Sequence, residues 1–142
     1  MSYKNNSTDS IKSTSTNNVA FIINSLEGGG AERVMANALR IMQSYYEQRN
    51  TGVYLVLLDS TEESQQVPEY VNKITLNTQG SLVNGYKQLR TTLQSIAPEY
   101  CVSFLTRANY LTVLLAKKLK FKAIISERVN TSSHFSGGLK DT

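Results

Sequence analysis

Apolar residues fall in short runs and helical stripes that alternate along the chain. Val19-Ala20-Phe21-Ile22-Ile23 is a continuous apolar run, as expected of a strand buried on both faces. After a break over 24–30, apolar residues recur at Ala31, Val34, Met35, Ala38, Leu39 and Met42. That spacing predicts a helix with one buried face. A second strand is predicted over 53–58, and the polar stretch 59–66 leads to a shorter, weaker third strand at Ile74-Thr75-Leu76. The next helix runs over 81–96, with Leu82, Tyr86, Leu89, Leu93 and Ile96 on its apolar side. Pro98 helps to end it, because proline disfavours helical geometry at Ala97. Tyr100-Cys101-Val102-Ser103-Phe104 reads as a fourth strand, 108–119 as a largely apolar helix ending in Lys117-Lys118, and Lys122-Ala123-Ile124-Ile125-Ser126 as a fifth strand.

Strands that alternate with helices, and are apolar on both faces, predict an α/β fold: a parallel sheet with helices on each side. Right-handed crossovers then favour a Rossmann-like order, with the first strand central and the fourth beside it across the winding reversal. Such a reversal opens a crevice at the carboxyl ends of those two strands, where the loops are 25–30 and 105–107. Residues 1–18, MSYKNNSTDSIKSTSTNN, are almost all Ser, Thr, Asn and Lys. They bury too little area to offset their ordering entropy, which predicts a disordered tail ahead of one domain over 19–142.

Composition narrows the chemistry. The 142 residues carry 15 Lys+Arg against 11 Asp+Glu, a formal charge of +4. The excess is mild and gives no reason to expect a nucleic-acid partner. Mean hydropathy is −0.28, and the apolar runs are far shorter than a bilayer span. No charged-then-apolar start resembles a secretory signal, so a cytoplasmic location is expected. One cysteine, Cys101, excludes an internal disulfide framework and multi-cysteine metal sites. One histidine, His134, excludes His-cluster metal sites, and no metal is expected. Both residues read as structural.

Gly28-Gly29-Gly30 lies between a buried strand and a helix. Glycine there lets the backbone turn sharply and lets a ligand approach main-chain amides. The helix start beyond it suits phosphate, although a tight turn without a ligand would use the same residues. The dinucleotide fingerprint fails because its third glycine falls on Arg33, and the P-loop fails because no Gly-Lys-Ser/Thr follows.

Asn24-Ser25-Leu26-Glu27-Gly28-Gly29-Gly30-Ala31-Glu32-Arg33-Val34 resembles the loop that opens family 4 glycosyltransferases of the GT-B fold. Val102-Ser103-Phe104-Leu105-Thr106-Arg107-Ala108-Asn109 and Ile124-Ile125-Ser126-Glu127-Arg128-Val129-Asn130 are similar to two further segments of that family, in the same order. The resemblance covers about 19–130. It implies a retaining transferase that moves a sugar from a nucleotide diphosphate sugar to a saccharide or lipid-linked acceptor, with no cofactor beyond the donor itself. It also implies that 19–142 is an incomplete acceptor-side domain, inactive until a C-terminal donor-side half completes it. The other reading is a non-catalytic module holding a phosphorylated ligand or a partner protein.

Carried over residue by residue, the resemblance places Gly29 and Gly30 against the donor diphosphate, while Gly28 is a variable position. Arg33 reads either as a solvated side chain or as a fork for anionic oxygens. Arg107 sits where a switch-point loop would meet phosphate or sugar hydroxyls. Asn109 suits either substrate contact or a helix cap. Glu127 and Arg128 follow the fifth strand, either as a surface pair or at the reacting sugar. Some family members carry histidine at the Arg128 position. Arginine stays protonated and cannot serve as a general base, so a catalytic Arg128 would act electrostatically on an anionic acceptor such as a lipid-linked diphosphate. Lys117, Lys118, Lys120 and Lys122 form a cationic cluster that is either solvated or drawn to an anionic membrane surface.

Overall fold

The computed structural model describes residues 17–26, 29–61 and 65–126. Within them β1 (Asn18–Ile23), β2 (Gly52–Leu57), β3 (Asn72–Thr75), β4 (Tyr100–Phe104) and β5 (Lys122–Ser126) form one sheet in the order β3-β2-β1-β4-β5. Every pairing is parallel. The first strand is central and the fourth adjoins it across the reversal, as the alternation predicted. The fold is α/β and Rossmann-like.

Alternation along β1 divides the core in two. Val19, Phe21 and Ile23 point to one face, where they meet Ala31, Met35 and Leu39 of helix α1 (Gly30–Ile41) and Tyr46 of the short α2 (Gln43–Gln48). Ala20 and Ile22 point to the other. There they meet Leu89, Leu93 and Ile96 of α3 (Leu82–Ile96) and Ala108, Leu111 and Leu115 of α4 (Thr106–Leu119). The predicted stripe over 31–42 corresponds to α1; the chain breaks at Met42, and the short α2, which the spacing did not predict, follows.

No described helix joins β2 to β3. Val67 and Tyr70 from that connection pack on the first core instead, and the Tyr70 hydroxyl donates to the Leu39 carbonyl. Burial pushes the Tyr70 phenol up to about 12. Ser81 caps α3 by accepting from the Asn84 N–H at 3.1 Å, and Ala97 closes it in the left-handed conformation ahead of Pro98.

The predicted tail gives up its last residue to the sheet. Asn18 begins β1, and its side-chain amide donates to the Ile96 carbonyl at 2.8 Å. Residues 1–16 lie outside the described ones. The edges also depart from the expectation of strands buried on both faces: β3 and β5 are largely exposed, with Ile124 and Ile125 about half accessible. Among the described residues no helix is long and apolar enough to cross a membrane.

Candidate functional site

The turn after β1 begins at Asn24, whose carbonyl accepts from the Asp59 N–H at 2.9 Å. Neighbouring parallel strands thus end level, and their loops open on the same edge of the sheet. Asp59, just past β2, is the hub of that edge. Its Oδ1 accepts from the Thr78 N–H at 2.8 Å, the Thr78 hydroxyl at 3.0 Å and the Gln79 N–H at 2.8 Å. Its Oδ2 accepts from Arg107 Nη2 at 2.6 Å, and Arg107 Nη1 donates to the Thr78 hydroxyl at 2.9 Å. One carboxylate therefore ties together the turns after β2 and β3 and the first turn of α4.

Burial alone would raise the Asp59 pKa. The hydrogen bonds from Arg107 and Thr78, the Arg107 charge and the Gln79 N–H together outweigh it and hold the carboxyl below its ordinary value. Asp59 is an anion at neutral pH, and the Arg107 charge beside it is matched.

Over this brace lies a hollow of about 710 Å³ lined by Asn24, Gly80, Leu82, Leu105, Thr106, Arg107 and Tyr110. It stands at the carboxyl ends of β1 and β4, the crevice the winding reversal predicts. Its size falls within the roughly 300–1,000 Å³ of small-molecule pockets. Leu105 holds φ 79° and ψ 149°, a region that favours glycine, and its N–H donates to the Ser126 carbonyl at 3.3 Å. Asn24 Oδ1 is buried and accepts no hydrogen bond among the described residues.

The sequence-derived candidates divide. Arg107 lines the hollow, although as the second residue of α4 and not in a loop before it. Asn109 is 2% exposed and is not the cap, a place taken by Leu105. Its Oδ1 accepts from the Ser103 hydroxyl at 2.6 Å and its Nδ2 donates to the Ser126 carbonyl at 3.0 Å, so it locks the ends of β4 and β5 from within.

Gly29 and Gly30 are exposed but do not line the hollow. Gly29 caps α1 with φ 137°, a conformation that strains an L side chain, and a Cβ there would lie 2.7 Å from Glu32 Oε1. Gly30 opens the helix, with nothing within 4 Å of where its Cβ would be. Arg33 is exposed on α1 and is not part of the lining either. Glu127, Arg128 and His134 lie outside the described residues, as does Gly28.

The lysine cluster sits at the other end of α4, about 20 Å from its start at 1.5 Å per residue. Lys117 and Lys118 occupy the last turn, where cations suit the helix dipole, and Lys122 Nζ stands 5.6 Å over the Tyr100 ring. Cys101 is fully buried, and burial pushes its thiol up, as a structural cysteine requires.

Sequence reasoning missed Asp59, Thr78, Asn24 and Tyr110. For Asp59 a signal existed: an acid directly after the second strand of a wound sheet stands at the binding edge. No family model matches the chain, and no curated protein matches it at significance.

Proposed function

We propose that this chain is the acceptor-side domain of a retaining, nucleotide-sugar-dependent glycosyltransferase of family 4 with the GT-B fold. It would transfer sugar to a saccharide or lipid-linked acceptor when completed by a donor-side domain. One observation carries the reading. The hollow is built from Asn24 and Leu105–Arg107, which belong to two of the three resembling segments, and the third is clasped against them where Ser126 accepts from Leu105 and Asn109.

In this reading the amides at the start of α1 approach the donor diphosphate, with Gly29 and Gly30 keeping side chains out of the way. Glu127 and Arg128 stand near the reacting sugar, and Arg128 stabilises negative charge as a fixed cation. Arg107 and its brace shape the acceptor side. The work is done at the cytoplasmic face of a membrane when the acceptor is lipid-linked.

The test combines the full chain with a donor-side domain of the family, fused or in trans, and supplies a nucleotide sugar with saccharide and polyprenyl-phosphate acceptors. Transfer with retained anomeric configuration is expected. Persistent absence of transfer to both acceptor classes overturns the reading. A thermal shift of the chain alone on adding a phosphorylated ligand, with no transfer in the mixture, supports the non-catalytic module instead.

A further inference from the structure

We infer that the hollow takes an uncharged, hydroxyl-bearing ligand of the size of a sugar ring and turns phosphate away. The inference deepens the transferase reading and rests on it for the ligand's role as acceptor; the preference itself follows from three features of the walls.

The first is charge. Among the described residues Arg107 is the one cationic side chain in the lining, and it is already matched. Its Nη2 stands 2.6 Å from Asp59 Oδ2 and its Nη1 donates to Thr78. A phosphate entering here would have to draw the guanidinium from a carboxylate that holds it at close range, and would then face that carboxylate's negative charge. A neutral hydroxyl meets neither obstacle.

The second is hydrogen-bond polarity. Asn24 Oδ1 is a buried acceptor without a donor among the described residues, in a side chain that lines the hollow. A buried acceptor left unpaired is costly, so it favours a ligand that brings a proton. An alcohol does so; a fully ionised phosphate ester has none to give.

The third is the wall. Leu82, Leu105 and Tyr110 are the large apolar and aromatic members of the lining, and Tyr110 is 55% exposed instead of packed into the core. A pyranose ring has an apolar C–H face that packs on such a ring while its hydroxyls turn to the polar side. Apolar wall, lone acceptor and self-neutralised ion pair together describe a saccharide subsite.

The experiment follows the amide NMR spectrum of the full chain during separate titrations with methyl glucopyranoside, methyl galactopyranoside, N-acetylglucosamine and inorganic pyrophosphate. At least one sugar is expected to shift the amides of Asn24, Gly80 and Tyr110 at roughly millimolar concentration, an affinity typical of a single small contact surface. Pyrophosphate is expected to leave them in place. Asn24→Ala and Tyr110→Ala should each weaken the sugar response about tenfold. Asp59→Asn, which unpairs Arg107, should make the same amides respond to pyrophosphate. Three results overturn the inference: silence from all three sugars, a wild-type response to pyrophosphate at these amides, or a sugar response that both alanine variants leave intact. Sugar transfer by the completed enzyme alongside a pyrophosphate-binding hollow would end this inference and spare the transferase reading. Sugar binding here with no transfer would do the reverse.

Discussion

Asp59 shows how one side chain can organise a site without belonging to any recognisable motif. It accepts four hydrogen bonds, three from Thr78 and Gln79 in the turn after β3 and one from Arg107 on α4, and two of its donors are backbone N–H groups. Replacing it with asparagine keeps the shape but removes the charge that Arg107 answers. Asp59→Asn is expected to lower stability at pH 7 by about 1–2 kcal/mol, measured by urea unfolding, since charge-assisted bonds in a half-buried setting are worth about that much. The pH dependence has a definite sign. The folded carboxyl titrates below its ordinary value, so its contribution is complete above the unfolded pKa and is lost as the pH falls through the folded one. The wild type should therefore lose stability on acidification below about pH 4, and the asparagine variant should lose less over the same window. Equal losses in both proteins would show that Asp59 is not the group responsible. The sequence showed Asp59 as an acid directly after the second strand but not what it binds, because its partners are 19 to 48 residues away.

The helices follow their apolar stripes closely, and the exceptions are informative. Leu82 belongs to the stripe of α3 by spacing, yet it is 47% exposed and lines the hollow. Periodicity states that a residue faces inward from a helix; it does not separate a core from a cavity next to the core. Gly85 marks the opposite case. It is buried in the first turns of α3, and a Cβ there would lie 2.8 Å from Leu111 Cδ1 on α4. A side chain there would press on the tip of the buried Leu111, which would have to move. Gly85→Val is expected to destabilise the protein by about 1–3 kcal/mol despite valine's better helix propensity, because the added methyls overpack a closed contact. Thermal unfolding checks it, and a stabilised variant would mean that α3 and α4 move apart freely. The stripe from Ala31 to Met42 was legible, but the second short helix beyond it was not, since 43–48 is mostly polar and no proline or glycine marks the break.

Burial is uneven across the sheet. β1 and β2 are shielded on both faces, whereas β5 is exposed along its length and offers Ile124 and Ile125 to solvent. Local opening is easiest where few apolar contacts must be broken. Amides of β5 are accordingly expected to exchange with solvent at least about tenfold faster than those of β1, as hydrogen exchange can measure. Uniform protection across the five strands would contradict this gradient. The same asymmetry explains why Leu93→Ala should cost about 2–5 kcal/mol while Ile124→Thr changes stability by less than about 1 kcal/mol.

The apolar runs at 19–23 and 53–58, the helical stripes and the alternation of the two determined the class of fold, the parallel sheet and the edge on which its crevice opens. Those are consequences of periodicity and chain handedness, which act locally and are written in order along the chain. Only the tertiary structure decided what stands in the crevice. It paired Arg107 with Asp59, withdrew Asn109 into the interior, and brought Asn24, Leu82 and Tyr110 to a common wall. Charge pairing and cavity shape depend on distances between residues far apart in sequence, and such distances exist only once the sheet has wound.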